Sequence, residues 1–175
     1  MNARLTTTAA LLVIISGCTA GNPNRQEPPL PTQPMSFAVH LAYDDARAGC
    51  EKLTSKLGET VYVAPAAELT RSDLEVARAL HSEKRHMLQL VLNYSGRRAL
   101  EALTRANYRA AIGGLPGDGK EREPPARLAV LINGQLVGAP YVDRVVGSGE
   151  IQIIDVYSWQ ESEDAAAALN LRGMP

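Results

Sequence analysis

Three histidines, two cysteines and one glycine-rich loop are the residues of this 175-residue chain that could carry chemistry. Gly114 to Lys120 spells G-x-x-x-x-G-K, the letters of a loop that cradles phosphates. That chemistry needs a strand before the loop, a helix after it, and Ser or Thr to reach magnesium. Here Glu121 stands in the Ser/Thr place and Pro124-Pro125 obstructs a helix start, so a surface loop without nucleotide is expected. His81 and His86 flank charged residues and read as a solvated connector and a poor metal site. His40, the third, lies in no arrangement with Ser, Cys or Asp that resembles a triad. Gly147-Ser148-Gly149 lacks the glycine spacing of a nucleophile elbow and reads as a turn. Asp44-Asp45 and Glu161, Glu163 and Asp164 read as charges at helix N-termini, not as paired acid and base. No catalytic, cofactor-binding or metal-binding residue is assigned, and the chain is expected not to be an enzyme.

Cys18 has a different chemistry. Met1 to Gly17 combine one early cation, Arg4, with an apolar run too short to cross a bilayer, the pattern of a secretory leader. Ile15-Ser16-Gly17-Cys18 resembles a lipobox, which implies cleavage before Cys18 and acylation of its thiol. Thr19 after the cysteine favours the outer membrane over the inner. The expectation is a lipid-anchored protein facing the periplasm, with Cys18 lost to pairing and Cys50 left as a single thiol on a packing face.

The other residues describe a small domain on a tether. Thr19 to Pro34 is rich in Pro, Asn and Gln, too polar to offset its own ordering entropy. The expected division is a leader over 1–17, a tether over 18–35 and one α+β domain over 36–175. Lys and Arg number 18 against 19 Asp and Glu, a net charge of -1, so neither nucleic acid nor an anionic lipid surface is an expected partner.

Within the domain, Phe37, Val39 and Leu41 alternate as a strand. Ala46, Cys50, Leu53 and Leu57 follow a helical spacing that Gly58 would end. Val61 to Val63 reads as a strand. Thr70 with Asp73 predicts the N-terminus of a helix over Arg71 to Leu80. Leu88, Leu90 and Leu92 predict a strand, and a helix from about Gly96 to Ala111 follows, capped by Ser95, with Leu100, Leu103 and Ala110 inward. Asn133-Gly134 predicts a tight hairpin, Ile151 and Ile153 a last strand, and Ser158 with Glu161 a capping box for a helix ending at Gly173. The sum is five or six strands and four helices: a mixed, mainly antiparallel sheet with helices on one face and the other face partly open.

The order of these elements from Val61 onward resembles the head of the first periplasmic domain of the SecD family, accessory to the Sec translocon. The likeness is carried by the strand into a glycine turn at Leu128 to Gly134, by Ala139-Pro140, by the glycine-containing loop before Ile151-Gln152-Ile153, and by the Ala-rich helix closing on Arg172-Gly173-Met174-Pro175. A loop over Gly113 to Ala126 is longer than the family carries. In the family a similar ending leads into membrane helices; here Pro175 is the last residue, so the resemblance implies a head without the proton-driven motor.

The resemblance thus implies a non-catalytic binding module that engages exported polypeptide or an envelope protein. Val137, Ala139, Pro140, Tyr141 and Val142 are the candidate contact residues. A self-associating structural lipoprotein and an uncharacterised envelope enzyme are the alternatives.

Overall fold

A computed structural model describes residues 33–82, 85–112 and 126–171. They form two antiparallel sheets and two helices. The first sheet has the order β2-β3-β1-β6-β7, from β1 (Phe37–Tyr43), β2 (Glu51–Thr54), β3 (Thr60–Thr70), β6 (Arg127–Ile132) and β7 (Gln135–Gly138). The second has the order β4-β5-β8, from β4 (Leu74–Ser82), β5 (Arg85–Leu92) and β8 (Glu150–Ile154). Helix α1 spans Tyr94–Ile112 and α2 spans Trp159–Asn170. The α+β class and antiparallel pairing expected from sequence hold. Among the described residues no helix is long and apolar enough to cross a membrane.

The element count differs from the expectation because two segments expected as helices are extended. Glu51–Thr54 pairs with Thr60–Val63 as a hairpin, and Gly58, at φ 83°, turns the chain inside it instead of ending a helix. Leu57, expected on a packing face, is 70% exposed at the hairpin tip, and Cys50 is half-buried just before β2.

The second misread segment begins at Thr70. The Asp73 carboxylate accepts the Thr70 N–H at 2.9 Å, as a capping box requires, yet it closes a single 3-10 turn over Arg71–Asp73. The chain then continues as β4, whose register with β5 runs from Leu74↔Leu92 to Ser82↔Arg85. Cross-strand pairing and burial outweigh a local cap worth about 1 kcal/mol. The residues expected as a connector, His81 and His86, are therefore cross-strand partners.

Other expectations hold with adjusted bounds. Leu88, Leu90 and Leu92 are buried and belong to one core with Phe37, Val39, Leu100 and Leu169. Asn133 and Gly134 have φ of 51° and 74°, the left-handed pair that a two-residue hairpin requires. Ser158 Oγ accepts the Glu161 N–H while the Glu161 carboxylate accepts the Ser158 N–H. Helix α2 ends at Asn170, and Gly173 lies outside the described residues. Helix α1 starts earlier than expected, and its cap is Asn93, not Ser95: Asn93 Oδ1 accepts the Gly96 N–H at 3.0 Å. The side chain of Ala110 lies outside the described residues, as do Cys18 and residues 113–125.

Pro65 sits inside β3, where a missing N–H should break a ladder. The β1–β3 register jumps from His40↔Ala67 to Ala42↔Val63, so Ala64, Pro65 and Ala66 form a bulge. His40 fills the gap: its Nδ1 donates to the Ala64 carbonyl at 2.9 Å.

Candidate interaction surface

Three of the five candidate contact residues face inward. Val137, Ala139 and Val142 are buried, while Pro140 is exposed and Tyr141 is 48% exposed. A surface contact in this segment therefore reduces to Pro140 and Tyr141.

What holds Tyr141 in place is a residue absent from the sequence reading, Arg127. It is 7% exposed at the start of β6. Its Nε donates to the Ala139 carbonyl at 2.6 Å, Nη1 to Asp44 at 2.8 Å, and Nη2 to Glu59. The guanidinium lies 4.3 Å from the centroid of the Tyr141 ring, and the Tyr141 hydroxyl donates to Asp44 at 2.9 Å. Asp44, read from sequence as a helix-dipole charge, is thus a structural partner. The Arg127 hydrogen bond holds the Asp44 carboxyl below the ordinary carboxylate range. Burial pulls Arg127 down, but the bond to Asp44 and the charge of Glu59 outweigh it and hold Arg127 above its ordinary value. The cluster is a fully charged clamp that joins β1, the β2–β3 hairpin and the loop after β7. The one hint in the sequence is a lone Arg opening the otherwise apolar strand RLAVLI.

The second sheet presents a different kind of surface. Leu88, Leu90 and Leu92 point into the core, so Met87, Gln89 and Val91 point out. Their cross-strand partners share that side: Leu80, Arg78 and Val76 from β4, and Ile154, Gln152 and Glu150 from β8. None of these nine belongs to either buried cluster.

The two edges of this sheet are not alike. At β4 the Asn170 side chain accepts the Ala77 N–H and donates to the Ala77 carbonyl, both at 2.8 Å. It occupies the place a neighbouring strand would take. At β8 the bonds from Leu92 N–H to Gly149 O and from Asp155 N–H to His86 O fix the ladder phase. Ile151 and Ile153 thus spend their backbone groups on β5, whereas Glu150, Gln152 and Ile154 direct theirs outward. Ser148 Oγ accepts the Glu150 N–H at 3.3 Å, which gives the serine of the Gly147-Ser148-Gly149 turn a structural role. Among the described residues, no strand pairs with β8 on its outer side.

The family described as SecDF, P1 head subdomain, matches residues 47–175. The chain belongs to the SecDF P1 head family. Two solved SecDF structures share the fold of this head. One, described as a membrane component SecDF that enhances protein export, aligns at a TM-score of 0.55 and 18% identity over 78% of this chain and 62% of the other. The second, SecDF in a super-membrane-facing form, aligns at 0.56 and 18% identity over 78% of this chain and 19% of the other. The head thus spans less than two thirds of either. No curated protein sequence matches it. Strand β1 lies ahead of the matched residues, yet it sits between β3 and β6 and supplies Phe37 and Val39 to the core.

His81 and His86 face each other through their Nδ1 atoms at 3.1 Å, and Trp159 packs its ring against both. Glu161 is held down at about 2 by the Ser158 backbone N–H and by Lys56. It lines an open depression of about 260 Å³ with Lys56, Tyr157 and Asp164. A carboxyl pushed in that direction is the opposite of a general acid.

Proposed function

We propose that this head is a periplasm-facing binding module that receives exported polypeptide in extended form along the outer edge of β8. The observation that carries the reading is the asymmetry of the second sheet: β4 is closed by Asn170, and β8 offers the outward backbone groups of Gln152 and Ile154. Strand addition uses main-chain bonds for affinity and alternate side-chain contacts for selectivity, which suits clients of unrelated sequence. The adjoining open face, with Val76, Leu80, Met87, Val91 and Ile154, supplies apolar contact. Pro140 and the clamped ring of Tyr141 add a second, rigid contact. Membership in the SecDF P1 head family supports the export setting.

The same proposal holds the domain to the membrane through acylated Cys18, with the outer membrane as the destination, on the strength of Ile15-Ser16-Gly17-Cys18-Thr19. Residues 19–34 then serve as the spacer that lets the head meet chains away from the bilayer.

The test is photo-crosslinking in cells from Gln152 and, separately, from Tyr141, in the full-length protein. Many unrelated exported chains captured from Gln152 are the expected result. Capture of the protein itself would favour the alternative reading, β8-to-β8 self-pairing in a structural lipoprotein, because an open edge is equally a template for a second copy.

A further inference from the structure

We propose that His81 and His86 form a chelate for a divalent late first-row transition ion, with Cu(II) preferred and Zn(II) competing. The two residues are cross-strand partners at the end of the β4–β5 hairpin. Their side chains emerge on the same side as the buried leucines of β5, where α2 lays Trp159 against them at 5.6 and 6.2 Å between ring centroids.

The geometry that lets the two Nδ1 atoms share a proton also suits a shared ion. With metal–nitrogen bonds of about 2.0–2.1 Å, Nδ1 atoms 3.1 Å apart subtend about 100° at the ion, between square-planar and tetrahedral values. The ring centroids are 5.0 Å apart and the planes differ by 25°. Rings that each aim Nδ1 at one ion would have centroids about 4.8–5.2 Å apart, whereas rings joined head-on by a hydrogen bond would stand about 5.4 Å apart. Both distances therefore return the same angle at one ion.

The surroundings hold the pair in orientation. Trp159 limits how far either ring can swing. Asp155 Oδ1 accepts the His86 backbone N–H at 3.3 Å, and its other oxygen lies 3.8 Å from Arg85 Nε, so the one described cation beside the pair is matched by a carboxylate. Imidazole nitrogen suits copper and zinc, and Cu(II) stands highest in the divalent affinity order. Two protein ligands leave the remaining positions to water, the arrangement of an exchangeable surface site. Five residues apart in sequence, the histidines give no hint of this; the strand pairing brings them together.

Trp159 is the sole tryptophan of the chain and reports directly on the site. Full-length protein purified without a polyhistidine tag is titrated with Cu(II) at neutral pH while tryptophan emission is followed. The expected result is quenching that saturates at one equivalent, reversal by a chelator such as EDTA, and nitrogen hyperfine structure in the Cu(II) resonance spectrum. His81→Gln and His86→Gln should each weaken the midpoint by more than about tenfold, since even changes outside the ligand shell cost that much. His40→Gln is the control, because its Nδ1 is already committed to Ala64. Unchanged far-ultraviolet dichroism in each variant separates lost binding from lost folding. Quenching with the same midpoint in all three variants would overturn the proposal, as would a Cu(II) resonance spectrum without nitrogen hyperfine structure.

Discussion

The side-chain amide of Asn170 bonds both backbone groups of Ala77, at 2.8 Å each, so the last residue of α2 substitutes for a strand beside β4. A primary amide can present one N–H donor and its carbonyl acceptor on the same edge, matching the N–H and C=O of a single strand residue, which is why Asn serves here. Ala77 is buried, and its backbone groups would otherwise lack partners.

Asn170→Leu should therefore cost about 1–3 kcal/mol, the usual penalty for orphaning buried backbone groups. Urea unfolding measures it. The variant should also self-associate, because a second sheet edge is then open. Light scattering at rising concentration checks that separately.

Arg127→Met removes the centre of the clamp and leaves Asp44 and Glu59 facing each other's charge. Both carboxylates remain about two-fifths exposed, so the loss should fall below the 3–5 kcal/mol of a fully buried pair, at about 2–3 kcal/mol. Arg127→Lys should recover little, since a single ammonium cannot reach Ala139, Asp44 and Glu59 together. Tyr141→Phe removes one hydroxyl from the clamp and should lower stability only slightly, because its bond to Asp44 is exposed.

Acid stability follows from two carboxyls. Asp44 is held below 3.8 by Arg127, and Glu161 is held at about 2, from 4.5, by the Ser158 N–H and Lys56. A carboxyl lowered on folding stabilises the fold above its unfolded value, and that contribution fades as pH falls through the folded one. Unfolding midpoints should be flat from neutral pH to about 5 and decline between about 4.5 and 2. Lys56→Met should raise the Glu161 titration, followed by carbon NMR of its carboxyl, toward the ordinary value; an unchanged titration would leave the Lys56 contact without effect.

Gly96 tests the join between α1 and the 3-10 turn. A Cβ there would lie 2.6 Å from the Asp73 carbonyl oxygen and 2.8 Å from Asp73 Cβ. Gly96→Ala should lower stability by about 1–3 kcal/mol although alanine is the better helix former. A thermal melt of the variant decides the sign.

The elements legible in the sequence are those whose signal is local and also agrees with their surroundings. Asn133-Gly134 needs only backbone sterics, and Leu88, Leu90 and Leu92 alternate because one side of β5 faces the core. The Ser158–Glu161 box begins a helix because an Ala-rich run follows it. The Thr70–Asp73 pair closes the Asp73 arm of such a box, but Leu74–Ser82 is committed by pairing with β5 and by Asn170, 93 residues away from Ala77. Arg127 was illegible for the same reason: its partners Asp44 and Glu59 lie 83 and 68 residues away. The candidate contact segment was read as a unit, yet alternation and the bend at Ala139-Pro140 turn Val137, Ala139 and Val142 inward.

Residue-resolved amide exchange of the full-length protein, with and without an unfolded secretory polypeptide, tests strand addition at β8 most directly. The N–H groups of Ile151 and Ile153 are already bonded to β5 and should stay slow in both states. Those of Gln152 and Ile154 should slow on addition of the polypeptide, and Gln152→Pro, which removes one outward donor while sparing the β5 ladder, should weaken the response. Protection confined to other strands, or none at Gln152 and Ile154 while the polypeptide is bound, would contradict the account.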